Sequence, residues 1–229
     1  MRDIKRFSYP WAVKLTPMIM TSKKLSLMAR ITCFWISKTI RSNDVLTPGK
    51  VREDFKRLEK VPKHLAVLYW RKHEETKISN NEKMIKFNEI SQLCCWALCA
   101  GIRVLSLYEA KDHLKSNADL LQSHIEIATR QFFANDKIIP TTRVSALDSN
   151  LQVNLVSRED GRDRIVKMTK SLVYDTLKGK IKSDKIDVEE VDSRLSVPQF
   201  PEPQLLITFA PEIVLDGFPP WHIRLTEIL

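Results

Sequence analysis

Residues 201–229, PEPQLLITFAPEIVLDGFPPWHIRLTEIL, contain the stretch that decides the fold. Residues 205–207 (Leu-Leu-Ile) form a short apolar run bounded by Pro203 and Pro211. A run of this kind between turn-forming residues predicts a strand that is buried on both faces, as in a parallel sheet. The pair Asp216-Gly217 predicts a turn after it, and residues 221–228 are interpreted as a terminal packed segment.

Upstream of this stretch, apolar runs alternate with segments of helical periodicity. Strands are predicted at 64–70, 102–108 and 151–156, and helices at 48–60, 80–100, 111–134, 160–181 and 187–195. Helices joined to strands by short connections indicate βαβ crossovers. The predicted fold class is therefore α/β, with a mostly parallel central sheet flanked by helices.

Three details of these elements are also predictions. Asn80 or Asn81 is expected to cap the second helix, and Gly101 to end it. Residues 135–150 are expected to be less ordered. The helix at 160–181 is expected to bury one apolar stripe, which consists of Ile165, Met168, Leu172, Val173 and Leu177.

The positive charge of the chain is unevenly distributed. The 229 residues carry a net charge of +9, but residues 1–43 hold nine Lys or Arg against one acid. The rest is close to neutral, which argues against a nucleic-acid-binding domain because such domains carry a basic patch themselves. Four cysteines form no C-x-x-C pair, so neither a zinc site nor a disulfide framework is indicated.

Residues 1–45 are predicted to be a membrane-associated arm. Within it, residues 25–41 have the pattern of a helix with one basic stripe and an otherwise apolar surface. A basic amphipathic helix with aromatic residues typically lies in the membrane interface. A membrane-anchoring helix is the other interpretation of this segment. The expected membrane contacts are Trp11, Arg30, Phe34 and Trp35. The alternatives are a helix that is solvated or packed on the domain, and an organellar transit peptide.

The spacing of the last stretch resembles the signature of the cis-prenyltransferases, which lengthen isoprenoid diphosphates. The positions that match are Leu205, Leu206, Ile207, Glu212, Leu215, Phe218, Trp221 and Glu227. The family's two diphosphate-binding arginines fall on Thr208 and Val214, and its serine falls on Asp216. Its catalytic aspartate, after the first strand, falls on Trp70. The resemblance thus implies that the hydrophobic frame is kept and that this chain has no catalytic residues.

Residues 217–228 are similar to the ending of the family's non-catalytic, Nogo-B receptor-like subunits. This resemblance implies an accessory subunit that binds and activates a catalytic cis-prenyltransferase. The complex would make long-chain polyprenyl diphosphate from farnesyl and isopentenyl diphosphates, for dolichol synthesis and protein glycosylation. The chain would lie at the endoplasmic reticulum membrane with its domain facing the cytosol, and alone it would be inactive.

The resemblance also implies where the partner binds. The expected interface residues are Phe218, Trp221, His222, Arg224 and Glu227. Magnesium would be held mainly by the partner, and Glu227 could contribute to it across the interface. The prenyltransferase-like domain is predicted at 46–229, without the Arg-x-Gly tail in which accessory subunits of the family end. A self-sufficient enzyme and a membrane-tethered receptor or scaffold without a prenyltransferase partner remain as alternatives.

Overall fold

The computed structural model describes residues 47–56, 60–69, 79–144, 149–196, 200–208 and 214–229. The expected membrane residues Trp11, Arg30, Phe34 and Trp35 lie outside these ranges, as do Trp70 and Glu212. The boundary at residue 45 therefore stays a prediction. Within the described ranges, no helix has the length and apolar character needed to cross a bilayer.

Six strands form one sheet, and all of its neighbouring strands are parallel. Their order across the sheet is β3-β4-β2-β1-β5-β6. The strands are β1 (His64–Leu68), β2 (Val104–Tyr108), β3 (Thr142–Val144), β4 (Leu151–Val156), β5 (Leu205–Thr208) and β6 (Glu227–Ile228). This architecture confirms the predicted α/β class with a mostly parallel sheet.

Five helices flank the sheet within the described ranges. They are α1 (Pro48–Phe55), α2 (Asn80–Ala100), α3 (Ala118–Phe132), α4 (Arg162–Leu177) and α5 (Val188–Leu195). Short 3₁₀ turns lie at Lys115–Asn117, Arg158–Asp160, Ser183–Lys185 and Pro220–His222. The larger core lies between the sheet and α2 and α3, and a smaller one contains Tyr108, Leu206 and Phe218 on the opposite face.

The helix α2 begins one residue earlier than the predicted caps. Ser79 is the N-cap, and it forms a capping box in which its hydroxyl accepts from the Glu82 amide at 3.2 Å. Neither Asn80 nor Asn81 is the cap, because the reciprocal bond from the Ser79 amide to Glu82 requires this spacing. Gly101 ends the helix with φ of +76°, as predicted.

The predicted buried stripe of the helix at 160–181 is wrong for two of its five members, while Ile165 and Met168 are half-buried. Leu172 is buried, but Val173 is 54% exposed and Leu177 is 82% exposed. The helix stops at Leu177, before its predicted end at about residue 181. The prediction of a less ordered stretch at 135–150 is also wrong in part, because β3 lies within it.

Because every strand is parallel, the sheet has two distinct edges. We call the edge where the strands begin the amino edge, and the edge where they end the carboxyl edge. The crossovers leave β1, β2 and β4 at the carboxyl edge and re-enter the sheet at the amino edge.

Candidate functional site

Ligands of open α/β sheets bind at the carboxyl edge, where the loops after the strands meet. In this chain the relevant positions are the ends of β2, β4 and β5 and the loop at 214–218. The structure places Thr208 at the end of β5, where it is 5% exposed and donates its backbone N–H to the Leu229 carbonyl at 2.8 Å. Val214 is 42% exposed and has no polar side-chain atom to offer an anion.

Asp216 joins three parts of the carboxyl edge. Its carboxylate accepts from the Arg158 guanidinium at 3.0 Å, and its carbonyl accepts from the Tyr108 hydroxyl at 2.5 Å. Burial, with a smaller contribution from Asp216, raises the pKa of Tyr108 to about 12. The loop at 214–218 is therefore tied to the ends of β2 and β4 by the chain's own side chains.

Backbone contacts hold the same loop tightly. Asp216 and Gly217 both have positive φ, 43° and 88°, so the predicted turn is confirmed. A Cβ atom on Gly161 would lie 2.2 Å from the Gly217 carbonyl oxygen. Only glycine fits at position 161 while this loop is in place.

Two further ion pairs fill the carboxyl edge. Lys86 of α2 contacts the buried carboxylate of Glu109 at 2.5 Å, and that carboxylate also accepts from the Leu114 amide at 3.0 Å. Lys115 pairs with Asp160. Lys86, Lys115 and Arg158 are thus each neutralised by an acid of the same chain, and a phosphate would have to displace that acid.

Nothing in the described part of the chain resembles a metal centre. No group of three or more His, Cys, Asp or Glu side chains in those ranges could hold an ion. His64, which we interpret as a packing residue, is buried, with its Nε2 atom 2.8 Å from the Ser106 hydroxyl. Its surroundings give it a structural role in the sheet.

The expected interface residues fall into two groups. Phe218 and His222 are 2% and 7% exposed, and both pack against Phe200, with ring centroids 6.2 and 4.8 Å away. These two side chains support the C-terminal segment from inside. They present no surface of their own to another protein.

The other three expected interface residues lie at the surface beside β6. Trp221 is partly exposed and donates its indole N–H to Asp192 of α5 at 2.8 Å. Arg224 has a side chain that is 57% exposed, and its neighbour Leu225 is 90% exposed. Glu227 lies in β6, which is the last strand at its side of the described sheet. We call Trp221, Arg224, Leu225 and Glu227 the β6 surface.

Sequence reasoning missed Arg158, Lys86 and Leu225. Arg158 follows the predicted strand at 151–156, so the rule that polar groups after parallel strands meet at one edge could have indicated it. Lys86 lies in a predicted helix, and nothing in the local sequence indicates its contact with Glu109.

Comparison with known proteins identifies the family. No family model matches the chain. It is 36% identical over 186 residues to the dehydrodolichyl diphosphate synthase complex subunit nus1 of Schizosaccharomyces pombe, covering 78% of this chain and 70% of that protein. It is 30% identical over 214 residues to the NUS1 subunit of Saccharomyces cerevisiae, covering 81% and 56%. The chain thus spans between about half and about two thirds of the length of these relatives.

The crystal structure of lavandulyl diphosphate synthase from Lavandula x intermedia matches with a TM-score of 0.49 and 20% identity, covering 73% of this chain and 86% of that one. The sequence relatives decide the assignment. With 36% identity to the fission-yeast protein over most of both sequences, the chain belongs to the NUS1 family of dehydrodolichyl diphosphate synthase complex subunits.

Proposed function

We propose that the chain is a non-catalytic subunit that binds and activates a catalytic cis-prenyltransferase. The observation that carries the proposal is its membership of a family whose relatives are named as subunits of such a synthase complex. The complex would extend farnesyl diphosphate with isopentenyl diphosphate to a long-chain polyprenyl diphosphate. That product would serve dolichol synthesis and protein glycosylation.

The chemistry of the carboxyl edge supports a role without catalysis by this chain. An arginine contact to a phosphate contributes about 1.5–3 kcal/mol, as other hydrogen bonds to charged groups do. Thr208 and Val214 stand where the resemblance implies two such arginines, so diphosphate would bind roughly 10²- to 10⁴-fold more weakly. Lys86, Lys115 and Arg158 at this edge are engaged by Glu109, Asp160 and Asp216, respectively. These features favour an inactive lone chain.

The β6 surface is the best candidate for partner binding. It combines β6, the last strand at its side of the described sheet, with the 90% exposed side chain of Leu225 and the aromatic side chain of Trp221. Unpaired strand edges and exposed apolar side chains are features that partner proteins cover. Phe218 and His222, which the resemblance places at the interface, would fix the shape of this surface from below.

Magnesium would be held mainly by the catalytic partner. In this chain Glu227 offers one carboxylate, and Mg²⁺ sites commonly combine one or two carboxylates with substrate phosphates. Glu227 would therefore add to a site whose other ligands come from the partner and from the substrate. We further propose that residues 1–45 hold the complex at the endoplasmic reticulum membrane, with the domain on the cytosolic side.

The test is reconstitution with a catalytic cis-prenyltransferase. We expect no isopentenyl incorporation by the purified chain alone, and a clear increase in the partner's activity when the two are co-expressed. Leu225→Asp should abolish that increase because it places a charge in the interface. The matched control is Ile127→Asp on α3, where the native side chain is 57% exposed and distant in the sequence from the β6 surface.

Two results would contradict the proposal. Incorporation by the chain alone would identify a self-sufficient enzyme. If the chain neither binds nor stimulates the catalytic protein, while remaining at the membrane, the alternative of a receptor or scaffold without a prenyltransferase partner gains support.

A further inference from the structure

The two edges of the sheet carry opposite charge. At the amino edge, the described connections 60–63, 101–103, 133–141, 178–187 and 200–204 contain eight Lys or Arg residues and four Asp or Glu residues. In the described connections at the carboxyl edge, residues 109–117, 157–161 and 214–218, there are three basic residues and five acidic ones. A domain that is nearly neutral overall is therefore polarised from one edge to the other.

Half of the basic residues of the amino edge lie in one short stretch. Residues 178–185, KGKIKSDK, follow α4 and contain four lysines and one acid, and the lysines are exposed. Lys180 pairs with Asp175 at 3.4 Å, and Lys178 lies 5.7 Å from the centre of the Tyr174 ring. We call residues 177–186 the lysine tip.

Side-chain contacts place the lysine tip at the amino edge. Arg194 of α5 contacts Asp175 near the end of α4 at 2.8 Å. Arg224 lies 3.7 Å from Asp192 of α5 and 4.0 Å from Glu202, which directly precedes β5. The end of α4 is thus linked through α5 to the point where the chain enters β5.

Apolar side chains are exposed among these lysines. Leu177 at the start of the lysine tip is 82% exposed, and Ile186 at its end is 37% exposed. In the connection that enters β3, Ile138 is 82% exposed and Ile139 is 44% exposed beside Lys137. Exposed apolar side chains among basic ones are typical of surfaces that lie on anionic membranes.

The helix α1, which follows the basic arm in the sequence, lies at the same edge. It is fixed there by Arg52, which contacts Asp136 at 2.5 Å and lies 5.5 Å from the centre of the Phe133 ring. Asp136 and Phe133 belong to the connection that enters β3. Thr47, the first described residue, and the α1 helix that follows it therefore lie at the edge that carries the lysine tip.

We propose that the amino edge of the domain, with the lysine tip at its centre, binds the surface of a bilayer that contains anionic phospholipids. This contact is made by the domain itself and does not depend on the catalytic partner or on the proposed function. Each lysine near an anionic bilayer strengthens partitioning by roughly fivefold. The contact orients the domain so that its carboxyl edge faces the aqueous side.

The first experiment measures co-sedimentation of the full chain with vesicles of phosphatidylcholine, with and without phosphatidylserine. One variant removes three lysines of the tip, Lys178→Gln, Lys182→Gln and Lys185→Gln. The matched control replaces three exposed basic residues of α4, which precedes the lysine tip: Arg162→Gln, Lys167→Gln and Lys170→Gln. We expect the tip variant to partition roughly 100-fold more weakly to anionic vesicles. The control, which has the same net charge, should stay within severalfold of the native chain.

The second experiment separates the domain from the arm, which binds membranes by itself under the proposed function. In a Cys33→Ser chain, an environment-sensitive fluorophore is attached at Ser183→Cys in the lysine tip, or at Ser116→Cys after β2. We expect anionic vesicles to shift the emission of the probe at 183 to the blue and to leave the probe at 116 unchanged.

Three results would overturn the proposal. One is equal loss of vesicle binding in the tip and control variants, and another is an unshifted probe at 183 while the chain sediments with vesicles. The third is a tip variant that binds vesicles normally but no longer recovers the catalytic partner, which would assign the lysines to a protein contact. Circular dichroism of each variant checks that these exposed substitutions leave the fold intact.

Discussion

His64 shows how a single residue ties the stability of this domain to pH. It lies at the start of β1, 3% exposed, with the ring of Phe200 5.9 Å away. Burial lowers its pKa to about 4, and burial also lowers the pKa of the nearby His222. Both side chains are therefore neutral in the folded chain at pH 7.

We expect the free energy of unfolding to decrease as the pH falls from 7 to 5. An unfolded histidine has a pKa of about 6.5, so the unfolded chain binds more protons than the folded chain between that value and about 4. The stabilisation is complete above pH 6.5 and is lost as the pH falls toward 4. For His64 alone the decrease between pH 7 and 5 is about 2 kcal/mol, measurable by urea unfolding.

His64→Gln is the control for this expectation. The amide keeps a hydrogen-bonding group near Ser106 but does not titrate in this range. The variant should lose stability at pH 7 and show a smaller decrease toward pH 5 than the native chain. An unchanged decrease would assign the pH dependence to other groups.

At the scale of elements, the contact between the loop at 214–218 and the start of α4 is the tightest in the site. We expect Gly161→Ala to cost about 2 kcal/mol or more, because its Cβ would lie 2.2 Å from the Gly217 carbonyl. Gly49→Ala in α1 is the matched control. No atom lies within 4 Å of its added Cβ, so the substitution should raise stability by about 0.5–1 kcal/mol.

Thermal unfolding of the two variants provides the measurement. If Gly161→Ala unfolds like the native chain, the close approach between Gly161 and Gly217 does not constrain the loop. A compensating substitution at Gly217 cannot restore stability, because Gly217 has φ of +88° and is itself a position that favours glycine.

The elements that the sequence predicts well are those determined by local pattern. β1, β2 and β5 follow from apolar runs, and α2 follows from its periodicity and from Gly101. β3 was missed because it has three residues and is held by a distant side chain: Gln122 donates to the Thr142 carbonyl at 3.0 Å and accepts from the Val144 amide at 2.8 Å. Contacts between residues this far apart in the chain cannot be predicted from a short window of sequence.

The same distinction applies to the candidate site. The positions of Thr208, Val214 and Asp216 follow from spacing alone, since they lie on one short stretch. The contact of Asp216 with Arg158 joins residues that are far apart in the chain and depends on the order of the strands. The exposure of individual side chains could not be predicted from the sequence either. Phe218 and His222 were therefore expected at the partner interface, although both are buried in the described chain.

For the whole molecule, the weakest part of the sheet is the side that ends in β6. This strand has two residues, and its amides are held by bonds from Glu227 to the Gln204 carbonyl at 3.2 Å and from Leu229 to the Leu206 carbonyl at 2.9 Å. We expect these amides to exchange hydrogen quickly in the free chain. Binding of the catalytic partner should slow them by about tenfold or more.

Hydrogen exchange followed by mass spectrometry tests this, with peptides from β4 as the internal control. Their exchange should not change on binding, because β4 lies on the other side of the sheet. In the Leu225→Asp variant, addition of the catalytic partner should not slow amide exchange in β6. Slower exchange throughout the sheet, without a larger effect at β6, would indicate a different binding surface.

The strand order has a consequence for how this protein is made. The central strand β1 pairs on one side with β2, which follows soon after it, and on the other with β5, where Leu65 lies beside Leu205. During synthesis β1 leaves the ribosome well before β5. The strand contacts that β1 makes with β5 must therefore wait until the long intervening segment has been made. The sheet is therefore completed late: β1 can pair with β2 early, but it gains its second neighbour only after β5 has emerged.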